Sequence, residues 1–214
     1  MSLKTCLFLL GSLFLIACES PVSYTMEQLE NNRHNTLNIP ANGQITDHDF
    51  RQLLDELKNL NNEELTAILT SNNLELNRAS FCFYNMANNY AREKNLEKSM
   101  YYHQLAAHDY INPQSLLKLA EWNFFKEKDF AKAYEYLHQS LEVTVEITGN
   151  NRSHPVANNG KDKAQYMLEE LERMAASGAF DRTAIRQKLK EELPPLLKKY
   201  REIYQLILPE QQAS

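Results

Sequence analysis

The chain has 214 residues, 43% of them hydrophobic, with 11 Tyr and 9 Phe: enough apolar surface for one packed domain beside a leader. Five Gly are too few for the turns of an all-β design. A formal charge of −5 without a basic cluster argues against a nucleic-acid surface, and cysteines at 6, 18 and 82 cannot make a disulfide framework.

Met1 to Ala17 reads as a leader rather than as folded structure. Lys4 supplies the positive start, and CLFLLGSLFLIA is an apolar run too short for a stable membrane span. Its ending, Leu15-Ile16-Ala17-Cys18, resembles a bacterial lipobox. The resemblance implies cleavage before Cys18, a thioether from its thiol to diacylglycerol, and acylation of the new amino group. At ~0.8 kcal/mol per buried methylene, several acyl chains hold a protein on a membrane essentially permanently. Glu19 rather than Asp follows the cysteine, which by the same likeness implies the outer membrane, with the domain facing the periplasm. Residues 18–45 read as a flexible tether, with Pro21, Pro40, Gly43, several Asn and no sustained apolar period.

Residues 46–76 read as an N-terminal helical cap. Thr46 or Asp47 caps a helix whose Phe50, Leu53, Leu54, Leu57 and Leu60 share one face. Asn61 and Asn62 break it, a short helix follows from Glu63 to Thr70, and Asn72 and Asn73 make the next turn.

Residues 77–147 carry an internal repeat, about which the rest of the chain is arranged. The first copy reads FYNMANNYAREKNLEKSMYYHQLA from Phe83, and the second LKLAEWNFFKEKDFAKAYEYLHQS from Leu117. An offset of 34 residues matches Asn89 with Asn123, Glu93 with Glu127, Lys94 with Lys128, Lys98 with Lys132 and Tyr102 with Tyr136. Conservative pairs fill the gaps, among them Tyr90 with Phe124, Asn95 with Asp129 and Ser99 with Ala133. That period marks a helix–turn–helix unit that buries its apolar faces only by stacking on a neighbour. The predicted helices run over about 78–93, 96–109, 113–126 and 130–146.

These residues resemble the tetratricopeptide repeat family, and more loosely its Sel1-like branch. Ser99 and Ala133 match the small residue where the two helices cross, Tyr90 and Phe124 the aromatic closing the first helix, and Phe83 and Leu117 the large residue opening it. Ala106 and Ser140 take the small position late in the second helix, and KSMYYHQLAA is similar to the Sel1-like pattern. One departure is the small residue of the first helix, which is Ala87 in one copy but Glu121 in the other. The resemblance implies an all-α fold, a helix-turn-helix repeat stack behind the lipoprotein leader.

Residues 148–160 form a polar Gly/Asn/Pro loop, whose Asn151-Arg152-Ser153 sequon is idle in a bacterial lipoprotein. Residues 161–214 read as a C-terminal capping region that covers the open end of the stack. A stripe of Ala164, Met167, Leu168, Leu171 and Met174 ends at Ser177-Gly178, and Asp181 caps the last segment. Pro194-Pro195 is expected to bend or split that segment near Glu192.

No HExxH, GxSxG, phosphate-binding Gly loop or CxxC occurs, so the expectation is a non-enzyme with no cofactor and no metal. The six His are scattered; His103 and His138, near equivalent ends of their repeats, read as packed or surface residues. Cys82 reads as a small buried apolar residue. In the resembled family the first helix of each repeat lines the concave side. Carried over by position, this puts Tyr84, Asn88 and Arg92 of the first copy in a partner-binding groove, with Lys118, Trp122 and Lys126 of the second. Lys, Asn and Arg suit peptide carbonyls and carboxylates, and the lone Trp122 is the expected anchor. The expected function is a membrane-anchored protein-interaction scaffold of the cell envelope with an unidentified protein partner. The alternative is an inhibitor or immunity-type protein that blocks one envelope enzyme through a dense acidic or aromatic rim.

Overall fold

The computed structural model describes residues 47–71, 76–149 and 160–204. The leader, Cys18, the tether, the interior of the 148–160 loop and residues 205–214 lie outside the described residues. Among those described, the chain is all-helical, with eight α-helices, one π-helical turn and no strand.

Helix α1 (Asp47–Lys58) turns Phe50, Leu53 and Leu57 into the core. Helix α2 (Asn62–Thr70) starts at once, because Asn61 caps it. The Asn61 side chain accepts from the N–H groups of Glu63 and Glu64 at 2.9 and 3.0 Å. Glu64 reaches back to the Asn61 N–H at 2.8 Å, so two otherwise orphaned donors are satisfied reciprocally.

Helices α3 (Leu76–Arg92), α4 (Leu96–His108), α5 (Pro113–Trp122) and α6 (Phe130–Thr148) follow, with the π turn Asn123–Glu127 continuing α5. The turns entering α4 and α6 are built alike. Lys94 and Lys128 both take left-handed backbone, with φ of 62° and 59°. That conformation costs a non-glycine residue about 1–2 kcal/mol. Asn95 and Asp129 come next, accepting from the N–H groups of Lys98 and Lys132 at 3.2 and 3.1 Å. Such caps contribute ~1 kcal/mol and offset part of the strain. Bonding to the Lys132 N–H also holds the Asp129 carboxyl below its ordinary range. The short connections return the chain each time, and each of these helices packs on the next.

Two apolar cores result. One gathers Phe50, Leu57, Leu65, Phe81, Phe83 and Tyr110, with Tyr200 and Tyr204 from the far end of the chain. The other gathers Leu117, Phe124, Ala133, Leu137, Met167 and Leu171. Helix α7 (Lys161–Ala176) covers the second core from α6. Gly160 opens it at φ +77°, left-handed backbone that favours glycine, and a Cβ there would stand 2.8 Å from Leu117 Cδ2 and push that side chain aside. Glu172 of α7 accepts from the Tyr134 hydroxyl at 2.8 Å, from Arg186 at 2.7 Å, and from Arg182. Tyr134 and Arg186 belong to α6 and α8 (Arg182–Tyr204), so this group clasps three helices.

Helix α8 corrects one half of an expectation, that the prolines bend or split it near Glu192. Pro194 and Pro195 do not split it: it runs unbroken for 23 residues. Each interior proline removes a backbone hydrogen bond and costs ~3 kcal/mol. Tertiary contacts on both sides offset this. Leu189 is buried before the prolines, and Tyr200, Ile203 and Tyr204 after them. Lys188 pairs with Glu135 at 2.8 Å and Arg201 with Glu146, so α6 holds the helix on either side.

Ser99 and Ala133 are both buried, 3% and 0% exposed, at matching places in α4 and α6. Ala133→Leu is expected to overpack its site and cost ~1–3 kcal/mol, and Ser99→Leu to behave alike. Denaturant unfolding of both variants checks this, and parental midpoints would show that neither site is tightly packed.

Candidate functional site

A cleft of about 660 Å³ opens between α1, α3 and α5. Helix α3 forms its longest wall. Tyr84, Asn88 and Arg92 follow one another at four-residue spacing, hence on one face, with Phe81, Asn85 and Ala91 beside them. The last turns of α1 contribute Leu54 and Lys58, and α5 contributes Gln114 and Lys118. A second, shallower cleft of about 340 Å³ adjoins it and shares Lys58 and Arg92.

The core builds the floor. Buried Phe81 meets Tyr84 edge-on at 6.3 Å between centroids, and Tyr84 lies tilted over His103 at 5.9 Å. His103 is buried, its Nδ1 3.1 Å from the Ser115 hydroxyl of α5. Burial, helped by the Lys118 charge, pushes this imidazole down to about 3, so it is neutral at physiological pH. A neutral packed ring under Tyr84 fixes the wall and brings no charge into it.

The polar side chains differ in how they are held. Asn89 donates to the Leu60 carbonyl at 3.1 Å and to Asn62 Oδ1 at 3.0 Å, tying α3 to the α1–α2 turn. Its own Oδ1 accepts from Arg92 at 3.1 Å, which orients the guanidinium. Lys118 pairs with Glu121 at 3.1 Å, and Glu121 is shared with Lys163 at 2.7 Å. Asn85 bonds back to the Phe81 carbonyl at 2.9 Å. Asn88 and Lys58 have no hydrogen-bond or ionic partner among the described residues. None of the described residues lining the cleft is acidic, and three are cationic.

Four of the six groove residues expected from the sequence, Tyr84, Asn88, Arg92 and Lys118, therefore meet in one cleft. Trp122 and Lys126 do not line it. The π turn takes Lys126 off the α-helical face, whereas Trp122, still on the α-helical part of α5, is held by a hydrogen bond. The i to i+5 winding of the turn brings residue 127 over residue 122, and the Trp122 indole N–H donates to Glu127 Oε1 at 2.9 Å. The half-buried ring is thus held at the end of its own helix, and Lys126 lies exposed on the widened turn. Sequence reasoning missed Leu54, Lys58, Asn85 and Gln114. A signal existed for the first pair: Lys58 follows Leu54 by four residues, extending the apolar stripe of α1 into a cationic end.

Other candidate chemistry is quiet. His138 lies against Tyr134 at 4.3 Å and His103 against Tyr84, each in its own setting. Among the described residues no cluster of His, Cys, Asp and Glu suits a metal ion. Burial pushes the Cys82 thiol up to about 12, which leaves it inert. No described helix is long and apolar enough to cross a membrane. No family model, curated protein or solved structure matches this chain, so its role has to be read from the cleft.

Proposed function

We propose that this protein is a membrane-anchored interaction module of the bacterial cell envelope, not an enzyme, whose α1–α3–α5 cleft takes a segment of a protein partner. The carrying observation is the convergence of Tyr84, Asn88, Arg92 and Lys118 with Leu54 and Lys58 on one open cleft. An aromatic wall, the amide of Asn88 and cations in a single concavity offer apolar contact and hydrogen bonds together, as a peptide requires. The like-built turns at Lys94 and Lys128 support a tetratricopeptide or Sel1-like repeat stack for α3 to α6. The lipobox supports a lipid anchor on Cys18 and an outer-membrane address facing the periplasm.

A photo-crosslinking residue at Asn88 of the full chain tests the cleft, with one at exposed Tyr101 of α4 as control. The partner captured at Asn88 is identified and purified, and its affinity measured. Tyr84→Ala is expected to weaken it by ~2 kcal/mol with the helical spectrum kept. Capture at Tyr101 alone, or unchanged affinity, would remove the cleft from function. In the same cells Cys18→Ala is expected to release the protein from the membrane fraction, and retention without acyl label would sink the anchor.

One observation favours the inhibitor or immunity-type alternative. Phe125 and Tyr166 are 39% and 51% exposed, flank Phe124 and do not line the cleft. A partner that is an enzyme, inhibited through those rings and indifferent to Tyr84→Ala, would favour that alternative.

A further inference from the structure

We infer that the cleft's occupant is an extended partner segment with two carboxylates three to four residues apart. The inference rests on the cleft reading above and adds the chemistry of the ligand. Charge complementarity comes first. The chain carries a formal charge of −5, yet Lys58, Arg92 and Lys118 line the cleft and none of its described lining residues is acidic. A cationic concavity on an otherwise acidic protein attracts a negative group.

The spacing comes from the helices. Asn112, at the start of α5, donates to the Ser80 hydroxyl of α3 at 2.9 Å, which sets the beginning of α5 beside residue 80. Lys118, further along α5, lines the cleft beside residues 81–92 of α3, so both helices run the same way, and it stands about level with residue 86 by this contact, or with Tyr84 by the 34-residue offset of the two copies. Arg92 lies six to eight residues further along α3, or ~9–12 Å at 1.5 Å per residue. Lys58 belongs at the Arg92 end, because these two alone line both clefts. An extended chain advances ~3.3 Å per residue, so it covers ~9–12 Å in about three to four residues. One carboxylate then faces Lys118 and the other faces Arg92 with Lys58. Between the two levels stands Asn88, whose amide is free among the described residues to meet the segment's backbone. Tyr84 and Leu54 offer an apolar side chain its contact.

Arg92 is the best-prepared of the three cations. Asn89 holds its guanidinium, so less freedom is lost on meeting a carboxylate. Lys118 shares Glu121 with Lys163, which leaves charge to spare at that end.

The test uses the full-length chain and peptides acetylated and amidated at their ends, so that no terminal charge stands in for a side chain. One labelled set places two Glu two, four or eight residues apart around a Phe, and a matched set carries Gln instead. Fluorescence anisotropy is expected to show the four-residue spacing binding about tenfold tighter than its Gln counterpart. Raised salt should narrow the difference. Arg92→Glu and Lys118→Glu should abolish the preference, and Lys190→Glu, on exposed α8 surface, should leave it intact. Circular dichroism melts show that the variants fold. Equal binding of Glu and Gln peptides, indifference to spacing, or tighter binding of a single-stranded oligonucleotide of equal charge would each overturn the inference. If Asn88 still crosslinks a partner in those cases, the cleft stands and only its acidic ligand falls.

Discussion

Replacing Tyr204 with alanine is expected to destabilise the fold by ~3–5 kcal/mol, the range for removing a buried aromatic ring. The ring is 1% exposed, stacks on Tyr200 at 4.2 Å and meets Phe81 edge-on at 6.5 Å. Its hydroxyl donates to the Ser80 hydroxyl, which Asn112 also reaches, and lies 3.3 Å from the Tyr110 carbonyl. Burial pushes the phenol well above its ordinary range, so it stays neutral. One side chain thus joins the end of α8 to α3 and to the turn before α5. Tyr204→Phe keeps the ring and loses only the hydrogen bonds, at ~1 kcal/mol. Urea unfolding of the pair separates packing from polarity. Parental stability in Tyr204→Ala would mean that the last turns of α8 contribute nothing to the first core. Because Ser80 and Asn112 set the level of α5 against α3, Tyr204→Ala should also loosen the cleft before the domain melts.

Acid should destabilise the domain in a way that traces to His103. The folded state holds this imidazole neutral, down to about 3, against an ordinary value of 6.5. Between those values the unfolded chain binds a proton that the folded chain refuses. Stability therefore rises with pH through that window, and loss begins as pH falls below 6.5. The slope for one such group approaches about 1.4 kcal/mol per pH unit. His138, also held low by burial, adds in the same direction. Glu172 and Asp129 sit below their ordinary range too, but their contribution is lost only as pH falls through the carboxylate range. Unfolding free energy is best measured between pH 7 and about 5, above that range. His103→Asn keeps a polar atom for Ser115 and should flatten the slope there by about one proton's worth, whatever it costs at pH 7. An unchanged slope would show that His103 is protonated inside the fold.

Much of the local structure was legible because its causes are local. The apolar stripe of α1, the break at Asn61, the turns at Asn95 and Asp129, and the stop before Gly178 all depend on residues within a few positions of one another. Periodicity likewise placed Tyr84, Asn88 and Arg92 on one face of α3. The same reasoning put Trp122 and Lys126 beside Lys118; it could not see the bond from the Trp122 indole to Glu127, and for Lys126 it assumed α-helical winding. The π turn at Asn123–Glu127 changes the count by which side chains share a face, and nothing in NFFKE announces it. Of the bend or split expected at Pro194-Pro195, the split does not occur, for a different reason. A proline penalty is local, and the burial of Leu189, Tyr200, Ile203 and Tyr204 that outweighs it is not.

By itself the sequence determined that this chain is helical, where most of its helices begin and end, and which face of each turns inward. Those are short-range matters of capping, backbone conformation and a 3.6-residue period. Only the tertiary structure decided that Lys58, Arg92 and Lys118 share one cleft, and that Tyr204 returns across 124 positions to Ser80. Each depends on how whole helices settle against one another. Non-directional apolar burial drives that choice, and it leaves no pattern in neighbouring residues.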